Sequence, residues 1–447
     1  MDKNEQKIAI NKVSNWIDSN SNELIDFCKK YVSINSVTGN EFQVQNWIKS
    51  KLEEYGFDKV DFFALDSDNK RPNVVGIING KENCEDLNNI IINGHTDTVP
   101  VNEIELKKWQ SDPWQPVTRD GNIYGRGVTD MKGGISAAIY AARSLIENNI
   151  KLNGNLFLET VVGEELGEHK LGTTATVERG YKSNFAIVAE PTNCEIHTIC
   201  PGAITWELFV PGKVVHNSQK NKVTYPQRYS IADGERVGVD AFKKAMKILN
   251  AWEDLEHEWN FRWKNPIMGG GGVTYSGMPK ADIEGTGIFG ITPAIIESGD
   301  YIIAVPGFAR IRGGLYHPHW VKGENVIKEM QEVINAVAKY DDWLKENPPT
   351  LKVEYYWGPS EISKDHKGVK VLHNSLENIL KEEPIYSGFT GATDSTWLYQ
   401  KNIPTVVFGP GSLSYNAHGP NEFLPIDQLI LASKVYASTI IKWCNKK

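Results

Sequence analysis

The sequence predicts an α/β fold, in which helices sandwich a mostly parallel β-sheet, together with an inserted α+β domain. Short, continuous apolar runs, which are typical of strands covered on both faces, begin near residue 74 and recur along the chain. Helical patterns alternate with these runs, and that alternation favours parallel strand pairing. Between about residues 200 and 358 the runs give way to alternating strand patterns, and a chain of 447 residues exceeds what one compact core holds. Two domains are therefore expected.

The elements outside the insertion follow from these patterns in chain order. Apolar side chains recur at helical spacing from Val13 to Cys28 and from Val44 to Leu52, so the chain is predicted to begin with helices. A strong helix is predicted from the apolar stripe between Ile135 and Ile146. Five apolar runs predict strands, at residues 74–78, 90–92, 156–162, 185–189 and 405–408. In a parallel sheet, ligands bind at the carboxyl ends of such strands.

Inside the insertion, strands are predicted at residues 205–210, 302–311 and 351–357, and amphipathic helices near residues 240–255 and 323–344. The expected domain division is 1–199, 200–358 and 359–447, with the first and third segments forming one domain. The glycine-rich stretch at residues 266–292 lacks the Lys-Ser/Thr frame of a phosphate-binding loop. A flexible loop is the preferred interpretation of that stretch.

Composition and charge argue against several classes of partner. The formal net charge is −8 and no basic block interrupts the mixed charges, so neither a nucleic acid nor an anionic membrane is expected as a partner. The chain has no run of about 18 apolar residues, and its charged first ten residues lack the apolar stretch of a secretory signal. The five cysteines include no Cys-x-x-Cys pair, which argues against a disulfide framework and a thiolate zinc site. These features predict a cytoplasmic protein with buried or inert thiols.

Histidine and carboxylate side chains recur where the predicted strands end. His95 and Asp97 follow the run at residues 90–92, and at strand periodicity they point to the same side. A histidine that binds a metal through one ring nitrogen usually donates its other N–H to a carboxylate. A metal ligand with its orienting carboxylate fits this pair, although a His–Asp hydrogen bond without a metal explains it as well.

Three acidic residues stand near the next predicted elements. Asp130 precedes the strong helix, where its two oxygens suit a bridge between two metal ions but where an aspartate also commonly caps a helix. Glu164 and Glu165 follow the run at residues 156–162, and because two bare glutamates repel when buried, on their own they predict a solvated loop. Beside a metal, Glu165 can ligate while Glu164 serves as a general base toward water.

Glu190 and His418 complete the set. Glu190 closes the run at residues 185–189, where an unpaired carboxylate is costly to bury. His418 lies in a loop after the last predicted strand, and taken alone it would be a surface residue. Together these segments supply two imidazoles and three carboxylates as ligands, plus one free and one orienting carboxylate. That set predicts a two-metal hydrolytic centre.

The order of these motifs resembles that of a known family. The elements H-x-D-x-V-P, G-R-G-x-x-D-M-K-G-G, E-E-x-G, E-P-T and A-H-G-x-N-E occur as in the M20 metallopeptidases, and the match runs from end to end. Within the family, the chain is similar to the acetylornithine deacetylase and succinyl-diaminopimelate desuccinylase branch. The resemblance implies a zinc-exopeptidase-like catalytic domain with two divalent metal ions, most simply Zn²⁺, with Co²⁺ or Mn²⁺ as alternatives.

The resemblance also implies a role for each residue of the centre. Glu164 would take a proton from the attacking water and later protonate the leaving amine. Asp97 would orient His95, and a cis peptide bond would follow Asp130. The implied ligands are His95, Asp130 and Glu190 for one metal ion and Asp130, Glu165 and His418 for the other.

The resemblance implies that the inserted domain is a lid and that it also carries the interface of a homodimer. His216 matches a histidine that reaches a catalytic centre, often that of the partner subunit, and Arg312 matches a carboxylate-binding arginine. A loop that includes Gly391 and Thr393 is similar to one that binds a substrate carboxylate through backbone N–H groups. Departures concentrate in the insertion, where Ala304-Val305-Pro306-Gly307 replaces a V-P-D element and the stretches 219–237 and 266–292 are enlarged.

The expected activity is hydrolysis of the amide bond in a small N-acyl amino acid. A di- or tripeptidase that uses the same centre is the alternative, and both take a small or peptide-like substrate. A metal-free binding protein is a third hypothesis, but it predicts broken ligands, and all five are present.

Overall fold

A computed structural model describes residues 1–81, 88–221, 223–224, 235–263 and 289–446. These residues divide into two compact units, which we call unit 1 (Met1–Cys200 with Ser360–Lys447) and unit 2 (Pro201–Pro359). Cys84, most of the glycine-rich stretch and much of the stretch 219–237 lie outside the described residues.

The helices, numbered in chain order, are α1 (Lys3–Ser19), α2 (Ser21–Ser33), α3 (Phe42–Glu54), α4 (Glu103–Leu106), α5 (Gly133–Glu147), α6 (Thr173–Glu178), α7 (Ala241–Arg262), α8 (Gly323–Lys339), α9 (Asp342–Glu346), α10 (Lys367–Leu380), α11 (Ser395–Gln400) and α12 (Ile426–Cys444). The strands are β1 (Lys59–Ala64), β2 (Pro72–Ile78), β3 (Ile90–His95), β4 (Val117–Arg119), β5 (Asn122–Tyr124), β6 (Leu156–Val161), β7 (Phe185–Val188), β8 (Ile196–Cys200), β9 (Gly202–Pro211), β10 (Val223–Thr224), β11 (Glu235–Arg236), β12 (Ile291–Ser298), β13 (Phe308–His317), β14 (Thr350–Trp357), β15 (Ser360–Glu361), β16 (Tyr386–Gly388), β17 (Thr405–Val407) and β18 (Phe423–Pro425).

A nine-stranded sheet organises unit 1, in the order β1-β2-β6-β3-β7-β17-β8-β15 with β16 beside β8. The central strands β6, β3, β7 and β17 pair in parallel, whereas β1, β2 and β15 pair antiparallel with their neighbours. The predicted α/β class is confirmed, and parallel pairing is concentrated in the centre of the sheet. Sequence could not show this, because β2 is buried at every residue, just as a central parallel strand is.

Helices pack against this sheet, and its central strands are buried. The strands β2, β3 and β7 are buried at every residue, so side chains on both of their faces are covered. The helix α12 packs against α1, α5 and α10, and both α5 and α12 reach β3. The strands β6, β3 and β7 run in parallel, and their carboxyl ends therefore meet at one edge of the sheet. The segments that contain Glu164, His95 and Glu190 begin or end at that edge.

Unit 2 is a four-stranded antiparallel sheet, in the order β12-β13-β9-β14, with α7 and α8 packed on it. Alternate residues of β9, including Trp206 and Leu208, are buried in the core with these helices. Of the strand predicted at residues 302–311, only residues 308–311 lie in a strand, which is β13. The apolar side chain of Ile302 is 92% exposed, and Pro306 removes a backbone donor just before β13 begins.

Each helix in the described part of the chain is too short or too polar to cross a membrane.

Candidate metal centre

The two oxygens of the Asp130 carboxylate face different histidines. Its Oδ1 lies 3.2 Å from His95 Nε2, and its Oδ2 lies 3.3 Å from His418 Nε2. His418 Nε2 also lies 3.1 Å from Oε2 of Glu165. One ligand-type atom from each of His95, Asp130 and Glu165 lies within 4.8 Å of the others. The structure thus brings together side chains from β3, the turn before α5, the loop after β6 and the loop before β18.

Glu164 and Glu190 join this group on the His95 side. Oε2 of Glu164 and Oε1 of Glu190 each lie 3.8 Å from His95 Nε2. Glu190 and His95 are almost fully buried, while the side chain of His418 is 52% exposed. The centre is therefore closed on the side of the sheet and open to solvent at His418. All six side chains that the sequence analysis placed around the two metals lie in this one cluster.

The local fold explains how Asp130 reaches the centre. The chain makes a short turn at Val128–Lys132 before α5, in which Asp130 and Met131 have non-helical backbone angles, and the Asp130–Met131 peptide bond is cis, as the family resemblance implies. Gly127 begins the turn with a φ of +78°, and a Cβ there would collide with the Thr98 methyl group. Asp130 does not cap the helix, because the residue before α5 is Lys132, which makes no side-chain cap bond.

The adjacent glutamates are held in a tight turn after β6. Glu168 N donates to Gly163 O and Gly167 N donates to Glu164 O, both at 2.7 Å. The side chains of Glu164 and Glu165 are only 11% and 6% exposed. The alternative of a solvated loop is therefore wrong, and the two carboxylates are directed inward despite their mutual repulsion.

Asp97 contacts both His95, which the resemblance implies it orients, and this glutamate turn. His95 Nδ1 donates to the backbone oxygen of Asp97 at 2.9 Å, whereas the nearest carboxylate oxygen is 3.8 Å away. When the imidazole is neutral, this bond leaves Nε2 with the lone pair that faces Asp130. The Asp97 carboxylate instead accepts from Gly163 N at 2.9 Å, Glu165 N at 3.3 Å and Thr38 Oγ1 at 2.9 Å. Its charge therefore fixes the backbone on both sides of Glu164.

We expect Asp97→Asn to lower kcat or metal affinity by about 10- to 100-fold, the range usual for a partner that orients metal ligands. An amide has one acceptor oxygen, so either Gly163 N or Glu165 N would face an NH₂ group. The backbone oxygen that holds His95 is unchanged in this variant. Steady-state kinetics and zinc titration would measure the effect, with Thr38→Val as a control that removes only the third donor. Unchanged kcat and zinc affinity would show that the carboxylate does not set the turn.

Burial and charge shift the proton affinities of the centre in opposite directions. Burial raises the pKa of Glu164 and that of Glu190 well above the usual glutamate range. Burial lowers the pKa of His418, but the Asp130 and Glu165 carboxylates outweigh it and raise that pKa to about 11. Burial also lowers the pKa of His95, but the surrounding carboxylates outweigh it and raise that pKa well above its ordinary value.

Because these raised pKa values mean that protons compete with a metal for the same lone pairs, we expect zinc affinity to rise with pH. The direction of this pH dependence follows from the histidines, which hold their protons to a higher pH than free imidazole and release them on metal binding. Zinc titrations at about pH 6 and about pH 8 in two buffers of different ionisation enthalpy would measure both the affinity and the released protons. Equal affinities without proton release would contradict this expectation.

The donor set fits divalent metal ions. Four carboxylates meet two imidazoles, and in the described part of the chain no lysine or arginine forms an ion pair with any of the four. An excess of buried negative charge is costly unless cations balance it. Carboxylate oxygens and imidazole nitrogens are ligands that Zn²⁺, Co²⁺ and Mn²⁺ all accept.

The four residues predicted to bind substrate are spread over both units. Gly391 is half-buried in unit 1, and the Thr393 hydroxyl is turned inward, where it accepts from Ser395 N at 3.0 Å. In unit 2, His216 is exposed and its Nδ1 lies 2.9 Å from Ser218 Oγ. Arg312 is half-buried on β13 opposite Glu207, and its Nε has no hydrogen-bond partner among the described residues. Their roles toward substrate remain predictions.

Two buried acids of the centre received no role from the sequence. Glu422 belongs to the A-H-G-x-N-E element, and its carboxylate accepts from the backbone N–H groups of Gly127 and Thr129, both at 2.9 Å. Asp394 is the last residue of the predicted carboxylate-binding loop and is 2% exposed, with one oxygen unpartnered among the described residues. In the sequence, each of the two is marked only by belonging to a motif, and a motif does not show where a side chain points.

Comparisons with known proteins agree with this geometry. Residues 91–442 match the family model described as Peptidase family M20/M25/M40. The N-formyl-4-amino-5-aminomethyl-2-methylpyrimidine deformylase of Bacillus subtilis is 32% identical over 96% of this chain and 97% of its own length. The dipeptidase Dug1p of Saccharomyces cerevisiae has a TM-score of 0.73 at 14% identity, covering 97% of this chain and 98% of its own. Human carnosine dipeptidase 1 has a TM-score of 0.71 at 15% identity, with the same coverage of both chains.

The two solved structures show a shared fold, and the family match and the deformylase show kinship in sequence. The resemblance drawn from the motifs is confirmed. The chain therefore belongs to the M20/M25/M40 peptidase family and is a metal-dependent hydrolase of amide or peptide bonds.

Proposed function

We propose that this protein hydrolyses the amide bond of a small N-acyl amine or N-acyl amino acid, using two divalent metal ions. The supporting observation is that the two oxygens of Asp130 face two separate histidines, at 3.2 and 3.3 Å, as a ligand shared between two ions requires. The proposed ligands are His95, Asp130 and Glu190 for one ion and Asp130, Glu165 and His418 for the other.

Glu164 is the proposed general base and acid. When bound, the metal ions would polarise the amide carbonyl and lower the pKa of a water molecule. Glu164 lies beside His95 but is not needed as a ligand, so its carboxylate is left to take a proton from the attacking water. It then returns that proton to the leaving nitrogen. A pKa that burial raises above the usual range suits a group that must both accept and release a proton near neutral pH.

The full-length relative favours a deacylase over a peptidase. The deformylase matches over 97% of its length at 32% identity, whereas the dipeptidase structures, at 14% and 15% identity, support only the fold. We therefore place a formyl or another small acyl group first among the substrates. Hydrolysis of N-formyl, N-acetyl and N-succinyl derivatives of amines and amino acids, compared with dipeptides, would test this. Turnover of dipeptides alone would establish the peptidase alternative.

Zinc is the proposed native metal, because carboxylate and imidazole ligands suit it, with cobalt and manganese as alternatives. Stripped enzyme reconstituted with each ion in turn would rank them by kcat/KM. A protein that binds none of these ions would favour the metal-free binding hypothesis.

Arg312 is the proposed partner of a substrate carboxylate, since its Nε has no hydrogen-bond partner among the described residues. The backbone N–H groups at Gly391 and Thr393 are also proposed to bind a substrate carboxylate, and His216 is proposed to stabilise the oxyanion. The four described cysteines are buried free thiols, which supports the proposed reducing, cytoplasmic location.

The edge strand β12 supports a homodimer formed through unit 2. It is the outermost strand of its sheet, and Ile295 and Ile296 on it are about half exposed, at 48% and 51%. A long apolar edge strand is a template for pairing with another chain. Replacing both isoleucines with lysine is expected to convert a dimer into a monomer in analytical ultracentrifugation. A wild-type protein that sediments as a monomer would contradict the proposal.

A further inference from the structure

Glu422 is a buried acid that holds the backbone of the Asp130 turn. Its side chain is 1% exposed. Its Oε2 accepts from Arg126 Nη1 and Gly127 N, both at 2.9 Å. Its Oε1 accepts from Thr129 N at 2.9 Å and from Asp130 N at 3.2 Å. One carboxylate thus receives four hydrogen bonds, three of them from successive parts of the turn that presents Asp130.

The same residue belongs to the loop that presents His418. Its backbone oxygen accepts from Gly125 N at 3.0 Å, and Arg126 Nη1 also donates to Gly419 O at 3.3 Å. The other terminal nitrogen of the guanidinium, Nη2, is paired with Glu105. The loop around His418 and the turn around Asp130 are therefore joined as one piece, with the Glu422 carboxylate and the Arg126 guanidinium at its centre.

We propose that Glu422 is a positioning residue that selectively strengthens one of the two metal sites. The inference rests on the proposed two-metal centre, in which Asp130, Glu165 and His418 hold the second ion. Two of these three ligands, Asp130 and His418, stand on the segments that Glu422 joins.

The other site depends on Glu422 far less. His95 ends β3 and Glu190 follows β7, and these two strands are fixed by parallel pairing to each other. Asp130 is the only ligand of that site that Glu422 contacts among the described residues. Loss of Glu422 should therefore loosen the second site while leaving most of the first in place.

Glutamine is an informative replacement for Glu422, because it keeps the size and shape of the side chain but has one acceptor oxygen where the carboxylate has two. Each carboxylate oxygen of Glu422 accepts two of the four bonds. In Glu422→Gln, either orientation of the amide therefore places an NH₂ group against two donors. Buried donors that lose their acceptor are costly, and the turn must shift to relieve them.

The test is calorimetric titration of the metal-stripped full-length protein with Zn²⁺. The wild type is expected to bind two ions, and Glu422→Gln is expected to bind one with nearly unchanged affinity and the other about 10- to 100-fold more weakly. Excess zinc should restore much of the activity of this variant. If Glu422→Gln does not fold, Arg126→Gln removes one of the four donors and should weaken the same site by a smaller factor.

Asp341→Asn is the matched control. Asp341 is also buried and accepts from Lys244 Nζ at 2.6 and 2.7 Å and from Leu344 N at 3.1 Å, but it lies in unit 2 on no ligand segment. It should lower the melting temperature and leave both zinc sites intact. Equal weakening of both sites in Glu422→Gln, or no weakening of either, would overturn the positioning role. A wild type that binds fewer than two ions would instead overturn the proposed function itself.

Discussion

Glu164→Gln is expected to lower kcat by about 10²- to 10⁴-fold, the range that a positioned general acid–base group contributes. The amide retains the size of the carboxylate but neither takes a proton from water nor returns one to the leaving nitrogen. Because Glu164 is proposed to hold neither ion, zinc content should stay at two ions for each chain. The measurement is steady-state turnover of the best acyl substrate together with metal analysis of the same sample.

The control for Glu164→Gln is Glu178→Gln, the same chemical change at an exposed residue of α6 that pairs with Lys401. It should leave both turnover and zinc content as in the wild type. Full activity in Glu164→Gln would remove this residue from the mechanism, and loss of zinc would make it a ligand. The two outcomes are distinguishable because metal and turnover are measured on one preparation.

The helices and central strands of unit 1 were predictable because each carries its own periodic signal. The apolar stripe from Ile135 to Ile146 corresponds to α5, and the run at residues 90–92 begins β3. The direction of strand pairing carries no such signal. A strand such as β2 is buried on both faces by its neighbours, so its composition is the same whether it pairs in parallel or antiparallel.

The shifted strand in unit 2 has a different cause. Residues 302–305 are apolar, but Ile302 is exposed and Ala304 makes only an isolated bridge with His216. Apolar composition alone therefore placed a strand where the backbone has no continuous partner. The ordered strand begins after Pro306, where β13 pairs with both β9 and β12.

The candidate site was predictable to the extent that its side chains belong to strand ends and motifs. His95 ends β3, and Glu165 and Glu190 follow its two neighbours β6 and β7, so their convergence follows from the sheet. The sequence did not show that the Asp97 carboxylate binds backbone N–H groups of a turn that is distant in the chain, and its role toward His95 stays a prediction. Glu422 received no role because its carboxylate also binds backbone N–H groups. Backbone donors leave no mark on the sequence, and their partners are therefore recognisable only in the folded chain.

The largest loss of metal is expected for Asp130→Asn, because this residue faces both histidines at once. Asparagine has no net charge, and only its oxygen can ligate, so one of the two ions loses a ligand and both lose a shared negative charge. Loss of the charge stabilisation that a metal ion supplies to a transition state, several kcal/mol, corresponds to on the order of 10³-fold in kcat. Added zinc should not restore this variant, although it should restore stripped wild type.

Comparison with His418→Ala tests whether the Asp130 carboxylate is shared by both metal ions. His418 lies on one side of Asp130 only, so its loss should leave one ion bound while Asp130→Asn retains fewer than one tightly. Asp61→Asn is the control for general destabilisation and should bind two ions, because Asp61 lies on β1 and its carboxylate pairs with Arg179 after α6. If Asp130→Asn binds zinc as well as His418→Ala does, the aspartate is a ligand to one ion and the shared centre is wrong. If it binds less, both ions depend on the one carboxylate whose oxygens point to opposite sides.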